Sequence, residues 1–259
     1  MYNQQQTKQY LARIGLTDNL PHSADTLSRI VRAHYLTVPY ENLDVLADIP
    51  ISLDRQDLFD KIVVRNRGGY CFELNAALGT LLESMGFEVL HLTGRFIMGE
   101  PKDILPMRRH HVLLVTLPEG QYLVDAGIMR ESCRAAHPFQ MGVEQFDGVA
   151  SYVLRKDDFY GHIMDQALPG EDYAPLFGFT LEPQIPDDFV MPSFFCEKHP
   201  SSPFNKHRMV GIRTDNGSYN LVGNTFKTLV GDTVTEQRLL DDKEVPGVLE
   251  KVFGVMITG

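Results

Sequence analysis

The sequence predicts an α+β fold: a helical bundle over residues 1–86, a central antiparallel, barrel-like β region over 87–191, and a mixed helix-and-strand region over 192–259. Three observations carry this reading. Apolar residues recur at helical spacing through the first third. The period then changes to short β-type runs separated by Gly, Pro and charged turns, and the last third joins a hairpin signal to a short amphipathic helix. No solenoid repeat and no low-complexity linker breaks the order.

The first helix is expected over Thr7–Leu16, with Tyr10, Leu11 and Ile14 at helical spacing and a stop at Gly15. A second, over Thr26–Val38, places Leu27, Ile30, Val31, His34 and Tyr35 on one face and ends before Pro39. His34 on that face reads as a packed core histidine. Tyr40–Asp44 starts extended because it follows a proline. Gly68 and Gly69 are expected to set a tight turn, after which Phe72–Met85 reads as a helix with Leu74, Leu78, Leu81 and Met85 on one stripe. Strand-like runs follow at 87–96, 111–117, 121–127 and 150–156. Between the first two lies Met98–Arg109, where Lys102, Arg108 and Arg109 read as a solvated basic loop, with phosphate contact as the alternative. In the last third, Met209–Arg213 and Ser218–Val222 form strands across Asp215-Asn216-Gly217, and Val245–Phe253 closes as a helix.

Composition narrows the class of protein. Of 259 residues, 43% are hydrophobic, enough for a substantial core. Lys and Arg number 24 against 34 Asp and Glu, a net charge of −10. That acidity argues against nucleic acid or an anionic membrane as partner, since a basic face supplies most of that attraction. Cys71, Cys133 and Cys196 form no even disulfide framework and no zinc-ligand spacing, so the expectation is no metal and a reducing cytoplasm. The polar start lacks a signal-peptide core, and no run approaches the ~18 apolar residues of a spanning helix. Phosphate-loop, dinucleotide, zinc-protease and Gly-x-Ser-x-Gly patterns are all missing from the sequence.

The chemistry concentrates around Cys71. At a helix N-terminus, unpaired amides and the helix dipole favour a thiolate, and Arg67 close by would add a full positive charge. A nucleophilic cysteine needs a base, and the base needs an orienting group. Residues 110–125 read as a hairpin that opens with His110-His111 and closes with Asp125. A loop with an even number of residues puts His110 on the face of Asp125 and an odd one puts His111 there, so the turn alone leaves the choice open. The two histidines point to opposite faces, which disfavours one shared metal.

Four stretches, VPYENLD at 38–44, RGGYCFELN at 67–75, the hairpin ending VDAG at 124–127 and KHPSSPF at 198–204, resemble the arylamine N-acetyltransferase family, in the family's order and across nearly the whole chain. The resemblance implies a cysteine-protease-like Cys-His-Asp triad. In the family the histidine precedes the aspartate by fifteen positions, which selects Cys71, His110 and Asp125, with His111 as runner-up for the base. It also implies that Glu41 is buried facing Arg67, holding the turn that presents Cys71, and that the last region forms an α/β lid over the cleft. Tyr40 and Phe204 would line the acceptor pocket; with Phe96 and Ile128 they are the candidates for excluding water and stacking on an aromatic acceptor. Ile128 stands where many relatives carry Phe. The loop from Gly127 to Arg130 is the candidate for contacts to the coenzyme. The implied reaction is ping-pong acetyl transfer from acetyl coenzyme A, through an acetyl-cysteine, to an arylamine, a hydrazine or an N-hydroxyarylamine. A cysteine hydrolase or transglutaminase-like enzyme, with the same order of Cys, His and Asp, is the alternative.

Overall fold

A computed structural model describes residues 1–17, 20–101, 103–129, 133–231 and 233–256. Helix α1 (Gln4–Arg13) starts at Asn3, whose side chain and that of Gln6 cap one another's backbone N–H groups. Helix α2 (Ala24–Thr37) starts at Ser23 and buries the predicted stripe of Leu27, Ile30, Val31, His34 and Tyr35. His34 is a core residue, with Nε2 3.0 Å from the Tyr10 hydroxyl. Strand β1 (Tyr40–Glu41), helix α3 (Leu43–Leu46) and helix α4 (Arg55–Phe59) follow, the last running into a π-helical turn at Asp60–Val64. Apart from the extended start after Pro39, these short pieces carry too few residues to show a period in the sequence.

Helix α5 (Cys71–Ser84) is the centre of the first core. Leu74, Leu78 and Leu81 are buried as expected, and so are Phe72, Asn75, Ala77 and Leu82. A helix buried on so many sides packs both ways, and α5 lies between α1 and α4 and the first strands of the large sheet.

That sheet has eight antiparallel strands: β2 (Glu88–Phe96), β3 (His110–Leu117), β4 (Gly120–Val124), β5 (His137–Pro138), β6 (Glu144–Phe146), β7 (Ser151–Asp157), β8 (Gly161–Ala167) and β9 (Ala174–Phe179). Their order is β5-β4-β3-β2-β9-β8-β7-β6, a barrel-like arrangement around a second core containing Leu92, Leu114, Phe177 and Phe179. Strands β5, β6, β8 and β9 lie beyond the four runs picked out from sequence. In the β3–β4 hairpin Leu117 pairs with Gly120, so the turn is Pro118-Glu119, the even of the two possibilities.

Helix α6 (Val190–Lys198) leads into the last region: β10 (Met209–Thr214), β11 (Gly217–Val222), β12 (Thr225–Val230), β13 (Thr233–Leu239) and α7 (Val245–Phe253). Helix α7 buries Val245, Leu249 and Phe253, one per turn, against β10 and β11 residues Val210 and Leu221. The five-stranded sheet runs β1-β10-β11-β12-β13, with Tyr40 opposite Gly211 and Glu41 opposite Val210. Two residues from the first third thereby tie the closing sheet to the segment that precedes α5.

Candidate active site

Cys71 is the first residue of α5 and is almost fully buried. The backbone before it runs so close to β1 that a Cβ on Gly68 would lie 1.8 Å from the Pro39 carbonyl oxygen. Neither Gly68 nor Gly69 takes a positive φ. The glycines are there for close approach, and the expected turn geometry is not their reason. Gly127 does the same from the other side, where a Cβ would fall 2.7 Å from the Cys71 Cα.

A buried chain of charges holds this corner. Arg67 meets Glu41 at 2.8 Å and Asp44 at 2.7 Å; Lys61 meets Asp44 and Glu73, each at 2.7 Å. Glu73 also accepts the Tyr70 backbone N–H at 3.1 Å, one residue before Cys71. The Glu41–Arg67 pair is the one expected; Asp44, Lys61 and Glu73 extend it. Burial pushes the Asp44 carboxyl up, but Lys61 and Arg67 outweigh it and hold the group below its ordinary value. On Glu73 burial wins over Lys61, and the carboxyl lies above its ordinary value. Three acids share two bases in this buried chain. The Arg67 guanidinium, expected to act on the thiol, is held by two carboxylates. The charge of Arg109 also favours the ionised form of Cys71.

The even, two-residue hairpin turn puts His110 on the Asp125 face. His110 Nε2 is 2.6 Å from Asp125 Oδ2. The other oxygen, Oδ1, accepts from Asn75 Nδ2 at 2.9 Å and from the Gly127 backbone at 2.8 Å. Asn75 also donates to the His111 carbonyl at 2.6 Å and accepts the Ala126 N–H at 2.9 Å. It stands one turn after Cys71 on α5, a helical i to i+4 spacing that would have pointed to it from sequence. The His111 ring lies on the opposite face of β3, stacked on Phe189 at 4.0 Å, with Nε2 2.9 Å from His91 Nδ1. Burial lowers its pKa well below the ordinary histidine value.

Burial also pushes the Cys71 thiol well above its ordinary value, with Cys196 and Asp125 adding to the effect; a backbone hydrogen bond from His111 and the charge of Arg109 work the other way. Desolvation thus opposes the thiolate that the helix terminus favours. With Nε2 of His110 turned to Asp125, Nδ1 is the ring nitrogen left to take a proton.

A cavity of about 140 Å³ brings Cys71 and His110 together with Tyr40, Phe96, Gly127, Ile128 and Phe204. It also includes Arg109, read from sequence as part of a solvated basic loop, Met129 of the loop expected to meet the coenzyme, and Met209, not singled out from sequence for the site. Lys102 and Arg130 lie outside the described residues. A larger cavity of about 660 Å³ between the two sheets shares Met129 with the first. A third, about 880 Å³, lies behind α5 against His91, His111 and Phe189 and contains neither Cys71 nor His110. Among the described residues no cluster of His, Cys, Asp and Glu is placed to hold a metal, and no helix is long and apolar enough to cross a membrane.

A family model described as N-acetyltransferase matches residues 23–259. The arylamine N-acetyltransferase of Mycolicibacterium smegmatis is 39% identical over 252 residues, which cover 95% of this chain and 90% of that one. The Salmonella typhimurium arylamine N-acetyltransferase structure superposes with a TM-score of 0.93 at 28% identity, covering 100% of this chain and 94% of that one. The Mycobacterium marinum enzyme, solved in complex with CoA, gives 0.90 at 31% identity, with 96% and 92% covered. By sequence and by fold alike, the chain belongs to the arylamine N-acetyltransferases, a family of acyltransferase enzymes.

Proposed function

We propose that the chain moves an acetyl group from acetyl coenzyme A to the nitrogen of an arylamine or hydrazine, or to the oxygen of an N-hydroxy derivative, in two half-reactions through Cys71. One observation carries the reading: a single small cavity holds a cysteine at a helix N-terminus and a histidine whose far nitrogen is 2.6 Å from a buried aspartate.

In the first half-reaction His110 Nδ1 takes the Cys71 proton as Sγ attacks the thioester carbonyl. Sulfur becomes anionic as the imidazole becomes cationic, and Asp125 stabilises that cation. Backbone N–H groups beside Cys71 hold the oxyanion, at ~3 kcal/mol per donor in comparable sites. The carbon–sulfur bond to the coenzyme breaks, its thiolate takes the proton from His110, and acetyl-Cys71 is left. In the second, the acceptor nitrogen attacks the acetyl carbon, His110 takes the amine proton, and the proton returns to Cys71 as its bond to carbon breaks. Tyr40, Phe96, Ile128 and Phe204 keep water from the intermediate and stack on the acceptor ring. The coenzyme's arm passes Gly127 toward the adjoining cavity at Met129. Glu41 and Arg67 hold the segment that presents Cys71. No metal takes part. Three free thiols suit a reducing cytoplasm.

The test is to mix the protein with acetyl coenzyme A without acceptor and look for one acetyl group per chain by mass spectrometry. The adduct should form on Cys71, vanish in Cys71→Ala and His110→Ala, and persist in His111→Ala. Hydrolysis of amide or peptide substrates with no adduct would instead favour the cysteine-hydrolase alternative.

A further inference from the structure

The geometry points to Arg109 as a specificity-determining residue that selects acceptors carrying a carboxylate on the aromatic ring, an inference that rests on the proposed acetyl-cysteine mechanism. Apart from Cys71, His110, Tyr40 and Arg109, the described residues lining the cavity carry apolar side chains or none: Phe96, Gly127, Ile128, Met129, Phe204 and Met209. Among the described lining residues, Arg109 is the one charged side chain without a place in the proposed triad. Its guanidinium lies 5.8 Å from the centre of the Phe204 ring, the residue expected to stack on the acceptor. Arg109 meets Glu100 at 3.2 Å through a single nitrogen and hydrogen-bonds the Cys196 side chain. A guanidinium offers five donors in a planar fork, so these contacts leave capacity for one more oxyanion. The Arg109 charge already acts on Tyr40 and Cys71, favouring the ionised form of each, so it reaches the space between the aromatic wall and the sulfur.

Two anions compete for such a cation, the acceptor's carboxylate and the coenzyme's phosphates, and distance separates them. The Arg109 carbonyl oxygen is 3.8 Å from Cys71 Sγ. An arginine side chain adds ~7 Å of reach, whereas the pantetheine arm puts the first phosphate roughly 15 Å from its sulfur when extended. A para-substituted benzene ring spans ~6 Å between its two substituents, which matches the arginine's reach and falls short of the phosphates. With the amine at Cys71, the far side of the ring meets Arg109.

The experiment first confirms that the wild-type protein forms acetyl-Cys71, since failure there would remove the mechanism and leave Arg109 out of account. The deacetylation step is then followed with 4-aminobenzoate and with neutral 4-aminobenzamide, and the ratio of the two kcat/KM values is compared in wild type, Arg109→Met and Glu100→Gln. Loss of a charge-assisted contact should lower the benzoate-to-benzamide ratio by about 10- to 100-fold in Arg109→Met. Glu100→Gln, which removes the competing carboxylate, should raise it severalfold, and this variant decides the matter should Arg109→Met fail to fold. An unchanged ratio overturns the proposal, even where both acceptors slow equally. So does a loss with acetyl coenzyme A that is absent with S-acetylpantetheine, which lacks the diphosphate, since that would assign Arg109 to the coenzyme.

Discussion

At the scale of single residues the site depends on side chains that touch no substrate. Asn75 joins α5, β3 and the segment after β4 through one amide, with contacts of 2.6 to 2.9 Å to the His111 carbonyl, Asp125 Oδ1 and the Ala126 N–H. In Asn75→Ala the aspartate loses one of the two donors on Oδ1 and a buried carbonyl loses this donor, at ~1–3 kcal/mol for each group left short. The expected result is a 10- to 100-fold slower acetylation of Cys71 in single-turnover mixing, with the protein folded. A rate within twofold of wild type would show that Asp125 holds His110 without it. What could be read beforehand at this scale was chemical: which cysteine, and a histidine pair fifteen or fourteen positions before an aspartate. The state of the thiol could not be read, because desolvation depends on atoms from α5, β3 and α6 that meet only after folding.

At the scale of elements, the segment from β1 to α5 is held by charge more than by regular hydrogen bonding. Glu41 is fully buried, paired with Arg67, and accepts the Leu43 N–H at 2.8 Å. Glu41→Gln leaves Arg67 and Lys61 short of one counter-charge, and the expected loss is on the order of 3 kcal/mol in urea unfolding. Acetylation of Cys71 should slow in the same variant, because the segment that presents the thiol loosens. Wild-type values for both quantities would detach the pair from the site. The element boundaries follow the same division. Helices α2 and α7 and the β10–β11 hairpin were legible because each has its own cap, period or turn. Helices α3 and α4 and the π turn were not, since each is too short to show a period, and Asp44 and Lys61 meet only once the chain has folded.

At the scale of the whole molecule, three histidines, His34, His111 and His137, are buried outside the cavity that holds Cys71 and His110. Burial pulls the His34 pKa down to about 3, with Arg13 adding to it, and lowers those of His111 and His137. In the unfolded chain such a group takes its proton near pH 6.5. Their contribution to stability is therefore complete above about pH 6.5 and is lost as pH falls from there toward the folded values, at up to ~1.4 kcal/mol per pH unit for each histidine. Melting temperature should fall between pH 7 and 4.5. The slope should be shallower in His34→Gln, which keeps a polar partner for Tyr10 and cannot take the proton. Parallel melting curves for the two proteins would rule out His34 as a source of the acid sensitivity.

The sequence by itself determined the α+β class, the helix that begins at Cys71, and a hairpin with His at one end and Asp at the other, because each rests on neighbours in the chain. Tertiary structure decided what those pieces do to one another. It set the two-residue turn that gives His110 the Asp125 face, committed Arg67 to Glu41 and Asp44, and brought Arg109 into the cavity that holds Cys71. Local periodicity is written residue by residue, whereas burial and charge pairing are properties of surfaces that exist only once distant segments have closed over one another.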